Sequence, residues 1–181
     1  DVDIVKSSAD KLYIELKKSG IRAHVDKRDE YTSGWKFNEW EMKGVPLRVN
    51  IGPRDIEKRQ VELVRRDMKN KILVDQGQLT EYVISLLDQI QSNLLNRAKK
   101  LLEDNITKTT NYDTLKLTVQ NKGGFVLAGW CGNRQCEDKI KEETGADIRV
   151  IPFEGQEESN STICIYCHQP AKKIVVFARA Y

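Results

Sequence analysis

The residues best suited to chemistry in this sequence are its four cysteines, all of which lie after residue 130. Cys131 and Cys136 form a C-x4-C pair, and Cys164 and Cys167 form a C-x2-C pair. A short spacing lets two thiolates of one turn bind the same ion, and two such turns complete a tetrahedron. The spacing therefore predicts a Zn²⁺ site made of these four cysteines. Because four sulfur ligands leave no open position, the ion would be structural rather than catalytic.

Two other interpretations of the cysteines remain open from the sequence. They could be four reduced thiols in a core or on a surface, since disulfides are not expected in a chain without an export signal. A cysteine could also act as a nucleophile beside His168, which directly follows Cys167, but no third group stands at a recognisable spacing to orient the pair. Adjacent residues rarely reach one ion together, so His168 is expected to be a bystander of the metal site.

A second group of functional side chains surrounds the aromatic and charged segment 34–48. Helical spacing brings Phe37, Trp40 and Glu41 close together. Trp40 is expected to pack in the core, whereas Phe37 is left open between packing and function. Unpaired RNA bases stack on aromatic rings, and carboxylates and arginines hydrogen-bond the guanine edges. The polar residues that would surround Phe37 and read two guanines are Glu41, Arg48, Arg54 and Asp55.

The composition is that of a globular protein, with 39% hydrophobic residues, 31% charged residues and a net charge of +3. The positive excess is concentrated at 43–71, where nine basic residues accompany four acidic ones. A phosphate-contacting surface needs such an excess, although a solvated helix face has the same composition. The longest apolar runs fall far short of the ~20 residues that cross a bilayer, and the acidic N-terminus lacks a secretory signal. We therefore expect an intracellular, cytoplasmic protein with no membrane association.

Hydrophobic periodicity predicts an α/β fold with two compact units joined by a long helix. The long helix covers 80–104 and is on the order of 36 Å long at ~1.5 Å per residue. The alternative interpretation is that this helix pairs with a partner helix in a coiled coil. The other predicted helices are 4–19, 34–43 with Ser33 as its N-cap, 113–120 and 135–144. The predicted strands are 21–25, 45–51, 60–66, 71–74, 124–130, 148–153, 162–166 and 174–178. A polar surface loop is predicted at 154–161.

The motifs at 24–28, 34–48 and 51–55 closely resemble the anticodon-binding domain of prolyl-tRNA synthetases. The resemblance continues through the long helix and the cysteines to residues 177–181, and so covers essentially the whole chain. The cysteine-bearing extension resembles the archaeal/eukaryotic type, which some bacteria also carry. The resemblance implies a three-layer α/β anticodon-binding domain at 1–75 with its first strand missing, a connecting helix at 76–108 and a small zinc-binding α/β domain at 109–181.

The resemblance also implies a function, because the proline tRNA anticodon ends in two guanines. It places Phe37 against an anticodon base, gives Glu41, Arg48, Arg54 and Asp55 the base-edge contacts, and puts Lys69 or Lys71 near a phosphate or base. Asn38 stands where many relatives have His. The carboxylate of the terminal Tyr181 would reach toward the catalytic domain.

Class II catalytic motifs are absent from these residues, so no aminoacylation is expected from them alone. ATP and Mg²⁺, contact with the catalytic domain and a homodimer are expected only of the full-length proline–tRNA ligase. The alternative function is a stand-alone zinc-stabilised module that binds RNA or protein. A cysteine-dependent enzyme is the third hypothesis.

Overall fold

The computed structural model describes residues 2–180, apart from the side chain of Lys122. The chain forms two compact units, Asp1–Arg97 and Ala98–Tyr181, and the division falls within its longest helix. Each unit contains one β-sheet, so the predicted α/β class with two sheets and a long helix is confirmed. Tyr181, the residue expected to reach the catalytic domain, lies outside the described residues.

The described part of the first unit contains three complete α-helices, the start of a fourth, and a 3-10 helix, Gln76–Gln78. Helix α1 ends where Gly20 adopts a left-handed conformation (φ 81°), which glycine tolerates without a steric penalty. Helix α2 begins after Thr32, whose side chain accepts a hydrogen bond from the backbone of Trp35. The bounds of the helices are α1 Val2–Lys18, α2 Ser33–Met42, α3 Pro53–Glu57 and α4 Leu79–Asp104.

The sheet of the first unit has three antiparallel strands, β1 Leu47–Asn50, β2 Gln60–Arg65 and β3 Lys71–Asp75, in the order β1-β2-β3. Alternate residues of each strand pack against α1 and the first turns of α4 in an apolar core. The core residues are Leu12, Leu16, Val61, Leu63, Val74, Leu79, Val83 and Leu86. The intervening residues of the strands therefore project from the opposite face of the sheet, which carries polar side chains.

The second unit has a four-stranded sheet in the order β4-β5-β7-β6, in which only the β4–β5 pair is parallel. Helices α5 and α6 contribute Leu115 and Ile140 to its core, where they join strand residues such as Phe177. The bounds of the elements are β4 Ile106–Lys108, α5 Tyr112–Leu117, a π-helical turn Thr118–Lys122, β5 Phe125–Trp130, α6 Arg134–Thr144, β6 Ala146–Val150 and β7 Lys173–Arg179.

Two predicted strands are wrong. The segment 21–25 forms no ladder with any described residue, and one of its amides, that of Ala23, donates instead to the nearby carbonyl of Ile21. The segment 162–166 forms a turn around its cysteine, with a single β-bridge from Ile163 to Pro170. In both cases the residue types suit a strand, but alternation alone does not supply the partner that a strand requires.

Three local details also differ from the predictions. The N-cap of α2 is Thr32 rather than Ser33, because the Thr32 hydroxyl is the group that accepts from the first turn. Pro53 starts α3, a short helix absent from the predicted elements. The predicted loop at 154–161 contains a 3-10 helix, Gln156–Ser161.

Among the described residues, no helix is both long enough and apolar enough to cross a membrane.

Candidate functional site

The polar face of the first sheet brings Arg48 and Phe37 into direct contact. The Arg48 guanidinium carbon lies 3.8 Å from the centre of the Phe37 ring, close enough for a cation–π interaction. Arg48 also donates through Nη1 to Oε1 of Glu41 at 3.3 Å. Phe37 and Glu41 are one helical turn apart on α2, and Arg48 comes from β1. Three of the predicted base-reading residues therefore form one partly exposed cluster.

Sequence reasoning missed two residues that extend this cluster. Asn50 accepts from Arg48 Nε through Oδ1 at 3.1 Å and donates from Nδ2 to Glu62 Oε1 at 2.8 Å. The second oxygen of Glu62 lies 3.1 Å from Nζ of Lys71. The Asn50 amide and the Lys71 ammonium hold the pKa of the Glu62 carboxyl below its ordinary value. Strand alternation could have identified Asn50, which is two residues after Arg48 and so on the same face.

The remaining predicted residues of the first unit lie outside this chain of contacts. Asp55 sits in the first turn of α3, where its carboxylate accepts from the Gly52 amide at 2.9 Å and from the Gln60 side chain at 3.4 Å. Arg54 is exposed and makes no ion pair with any described residue. Lys69 is exposed in the turn between β2 and β3, with a left-handed backbone (φ 57°). Asp55 thus has a helix-capping role in addition to any contact with RNA.

A second charged cluster contacts α2 through Glu39 and Trp40. Arg28 forms a two-pronged ion pair with Asp26, at 2.9 and 2.6 Å, and also contacts Glu39 of α2. The Trp40 indole N–H donates to Asp26 at 2.9 Å, so Trp40 is half-buried against polar groups and is not the core residue that we expected. Arg28 and Trp40 hold the pKa of the Asp26 carboxyl well below its usual range. This cluster fixes α2 and, with it, the position of Phe37.

The four cysteines of the second unit meet at one point. Cys131 follows β5, Cys136 lies in the first turn of α6, and Cys164 and Cys167 lie in the turn before β7. Their sulfur atoms all lie within 4.8 Å of one another, and Cys131 Sγ is 3.6 Å from Cys136 Sγ and 3.7 Å from Cys167 Sγ. Tetrahedral thiolates at ~2.3 Å from an ion would be roughly 3.8 Å apart. The cluster therefore fits a four-sulfur metal centre.

Backbone hydrogen bonds shape the turn that carries Cys164 and Cys167. The Cys164 amide donates to the Gln169 carbonyl at 2.7 Å, and the His168 amide donates to the Cys164 carbonyl at 3.0 Å. His168 adopts a left-handed conformation (φ 59°) that closes the turn. Its ring is not part of the group of potential ligands in the described chain, which consists of cysteines alone. The expectation that His168 is a bystander is consistent with this geometry.

The environment of the thiols favours a bound cation. Burial raises the pKa of the Cys131 and Cys136 thiols. Burial acts in the same direction at Cys164, but backbone N–H groups of Cys167 and Tyr166 point at its sulfur and bring its pKa below the ordinary value. A cluster of buried thiolates needs a positive charge to compensate for desolvation, and a metal ion supplies it.

Comparison with known proteins gives a match to each of the two units. A family model described as an anticodon binding domain matches residues 2–86, and one described as prolyl-tRNA synthetase, C-terminal, matches residues 112–181. The proline–tRNA ligase of Natranaerobius thermophilus is 48% identical over 177 residues, and proline–tRNA ligase 2 of Clostridioides difficile is 46% identical over 177 residues. The chain belongs to the prolyl-tRNA synthetase family. Each of these alignments covers 98% of the chain but only 36% of the relative, so the chain spans about a third of their length.

Each of the two matched regions contains one of the candidate sites. The anticodon-binding match contains the Phe37, Glu41 and Arg48 cluster, and the C-terminal match contains all four cysteines. The family resemblance inferred from the sequence motifs is thereby confirmed, and the second unit contains the region that matches the C-terminal model of the family.

Proposed function

We propose that the first unit reads the anticodon of proline tRNA within a proline–tRNA ligase. The observation that carries the proposal is the Arg48 guanidinium, whose carbon lies 3.8 Å from the centre of the Phe37 ring and whose Nη1 donates to Glu41. One Glu41 oxygen bonds Arg48, while the other has no partner among the described residues and is free to accept from a base. The unused guanidinium N–H groups of Arg48 match the O6 and N7 acceptors of guanine. Arginine, carboxylate and ring together have the chemistry to read an unpaired guanine.

The test measures binding of an anticodon hairpin RNA to the chain, with fluorescence anisotropy as the readout and a fixed salt concentration. A hairpin with two guanines at the end of the anticodon is compared with hairpins in which either guanine is replaced by adenine. Arg48→Ala is expected to weaken binding of the guanine hairpin by roughly 1–3 kcal/mol and to remove most of the preference for it. Arg134→Ala, which removes the same charge from an exposed position in the second unit, serves as the matched control.

Two results would contradict this proposal. The first is equal binding of all three hairpins by the unmodified chain. The second is a loss in Arg48→Ala that is the same for every hairpin, because a uniform loss indicates a phosphate contact instead of a base contact. Arg54, Asp55, Lys69 and Lys71 remain predicted contacts, and the same comparison of hairpins tests each of them.

For the second unit, the proposal is that Cys131, Cys136, Cys164 and Cys167 hold a structural Zn²⁺. The ion would supply charge compensation to the thiolates and link the end of β5, the start of α6 and the turn before β7. No open coordination position would remain for a substrate, which argues against the cysteine-dependent enzyme.

Elemental analysis of purified protein is expected to give about one zinc per chain, because one four-cysteine site binds a single ion. Removal of zinc by a chelator is expected to unfold the second unit while the first unit keeps its structure, because the two units have separate cores. Circular dichroism measures the loss of structure, and thiol alkylation measures exposure of the cysteines. An unchanged spectrum after complete removal of metal would exclude a structural role.

Three further features of the full-length ligase stay predictions: ATP- and Mg²⁺-dependent aminoacylation in a domain outside this chain, a homodimer, and a cytoplasmic location. The alternative, a stand-alone zinc-stabilised module, predicts no preference for the proline anticodon. The hairpin comparison therefore separates the two functions.

A further inference from the structure

Arg48 presents only part of its guanidinium to solvent, because neighbouring side chains occupy the rest. Its Nε donates to Asn50 and its Nη1 donates to Glu41, so two of the five N–H donors of an arginine are used within the described chain. Phe37 lies against the guanidinium, with its ring centre 3.8 Å from the guanidinium carbon. The ring contact and the hydrogen bonds to Asn50 and Glu41 together restrict the rotation of the guanidinium. The Nη edge is left as the side that a base can approach.

The amide of Asn50 is held in one orientation by Glu62. An asparagine side chain offers an oxygen acceptor on one side and N–H donors on the other. Because Glu62 Oε1 accepts from Asn50 Nδ2 at 2.8 Å, the Asn50 oxygen is directed to Arg48. If the amide turned over, its N–H groups would face the N–H groups of Arg48. A carboxylate at Glu62 therefore selects the orientation that binds Arg48.

The backbone of the sheet places these residues in register. Asn50 and Glu62 are direct partners across the antiparallel β1–β2 pair, and Arg48 lies two residues before Asn50. Lys71, on the third strand, contacts the remaining oxygen of Glu62 at 3.1 Å. The row Lys71, Glu62, Asn50 and Arg48 thus crosses three strands, with each side chain contacting the next.

We propose that Asn50 and Glu62 are positioning residues that set the specificity of the RNA site by fixing the edge that Arg48 presents to a guanine. The inference rests on the proposed function, since it assumes that Arg48 reads a base. Neither residue contacts the base itself. Both oxygens of Glu62 are already engaged by Asn50 and Lys71, and Asn50 directs its oxygen to Arg48.

The experiment measures the ratio of affinities for the guanine hairpin and an adenine-substituted hairpin in variants of the chain. Asn50→Ala is expected to lower this ratio about tenfold, within the discrimination that one bidentate arginine–guanine contact supplies. Affinity of that variant for the substituted hairpin is expected to stay within about twofold, because no charge changes. Glu62→Ala should lower the same ratio while raising the affinity for every hairpin, because a negative charge is removed from the RNA-binding face. Asn70→Ala, at an exposed asparagine in the turn before β3, is the control.

A double variant provides the decisive comparison. Asn50→Asp with Glu62→Gln exchanges the amide and the carboxylate, so that the new Gln donates to the new Asp and the Asp still accepts from Arg48. The exchange is expected to restore the ratio to within about threefold of the unmodified chain, since the hydrogen bond to Arg48 is retained. Thermal unfolding verifies that each variant is folded.

Three outcomes would overturn the inference. They are an unchanged ratio in both single variants, an equal loss of affinity for all hairpins in Asn50→Ala, or a folded double variant that does not recover the ratio. Arg48→Ala, measured in parallel, separates the two proposals. If it abolishes the preference and Asn50→Ala does not, only the positioning role fails; if Arg48→Ala keeps the preference, the proposed function fails as well.

Discussion

The buried ion pair between Arg65 and Asp67 gives a quantitative test of the first unit. The two side chains are 7% and 1% exposed and form a two-pronged contact, with distances of 3.0 and 2.8 Å. Asn93 and Gln89 of α4 complete the network, at 2.7 Å from Asp67 and 3.2 Å from Arg65. Asp67→Asn would leave the Arg65 charge buried without a counterion. Loss of one partner of such a pair costs about 3–5 kcal/mol of unfolding free energy.

Acid provides an independent measure of the same interaction. The contact with Arg65 lowers the pKa of Asp67 from an ordinary value of 3.8 to about 2. A carboxyl with a lowered pKa in the folded state stabilises the protein above its unfolded pKa, and this contribution disappears as the pH falls through the folded pKa. The difference between the two pKa values corresponds to roughly 2 kcal/mol, lost between about pH 4 and pH 2. Asp67→Asn should lack this part of the acid sensitivity.

Urea unfolding, monitored by tryptophan fluorescence at several pH values, measures both the loss of unfolding free energy in Asp67→Asn and its dependence on pH. Replacing Trp130 by Phe leaves Trp35 and Trp40, both in the first unit, as the only tryptophans. The double variant Asp67→Asn/Arg65→Met removes both charges and should recover most of the loss, because an apolar replacement of a buried pair is often close to neutral. A single-variant loss below about 1 kcal/mol, typical of surface ion pairs, would refute the reasoning. So would a double variant that is no more stable than the single one.

Four further predictions concern individual residues. Gly129→Ala should lower the metal content and the melting temperature of the second unit, because a Cβ there would lie 2.3 Å from the carbonyl oxygen of Ile163. His168→Gly should stabilise that unit by roughly 1 kcal/mol in thermal unfolding, since glycine adopts its φ of 59° without strain, whereas His168→Val should destabilise it. Glu41→Gln should reduce the preference for the guanine hairpin with little change in unfolding free energy. Asp55→Asn should lower the stability of the first unit in urea unfolding, because Asp55 caps α3. If Glu41→Gln and Asp55→Asn lowered the unfolding free energy equally, the distinction between Glu41 as an RNA-contacting residue and Asp55 as a helix cap would be contradicted.

The elements that sequence reasoning predicted well are those with a strong local signal. The long helix was placed within one residue of α4, Leu79–Asp104, because its apolar stripe repeats over many turns. The cysteine cluster was predicted because spacing limits how thiolates can share an ion. By contrast, 21–25 has the composition of a strand, but only tertiary structure determines whether a strand finds a partner. Strand β4 was missed because it has three residues and depends on its parallel pairing with β5.

The residues of the proposed RNA-binding face were predicted only in part. Phe37, Glu41 and Arg48 were grouped by residue type, and the structure brings them together. Asn50 and Glu62 escaped notice because neither residue type is diagnostic by itself. Their importance arises from the β1–β2 register, which a sequence does not specify without a known turn between the strands. The Arg28–Asp26–Glu39 network was missed likewise, since Glu39 is eleven residues from Arg28.

Four carboxylates of the first unit, those of Asp26, Glu41, Asp55 and Glu62, can be compared by what their oxygens already contact. Those of Asp26, Glu62 and Asp55 accept from protein groups through both oxygens, and each fixes a neighbouring element or side chain. Glu41 is different, because only one of its oxygens has a partner among the described residues. Base recognition requires acceptors with a small free-energy cost of desolvation and ordering, which means that they are already oriented before RNA binds. Arg48 holds Glu41 in place while leaving one oxygen available, so Glu41 combines a fixed position with an unused acceptor. Of these four carboxylates, three therefore fix neighbouring groups through both oxygens, and Glu41 keeps one oxygen for the proposed contact with a guanine.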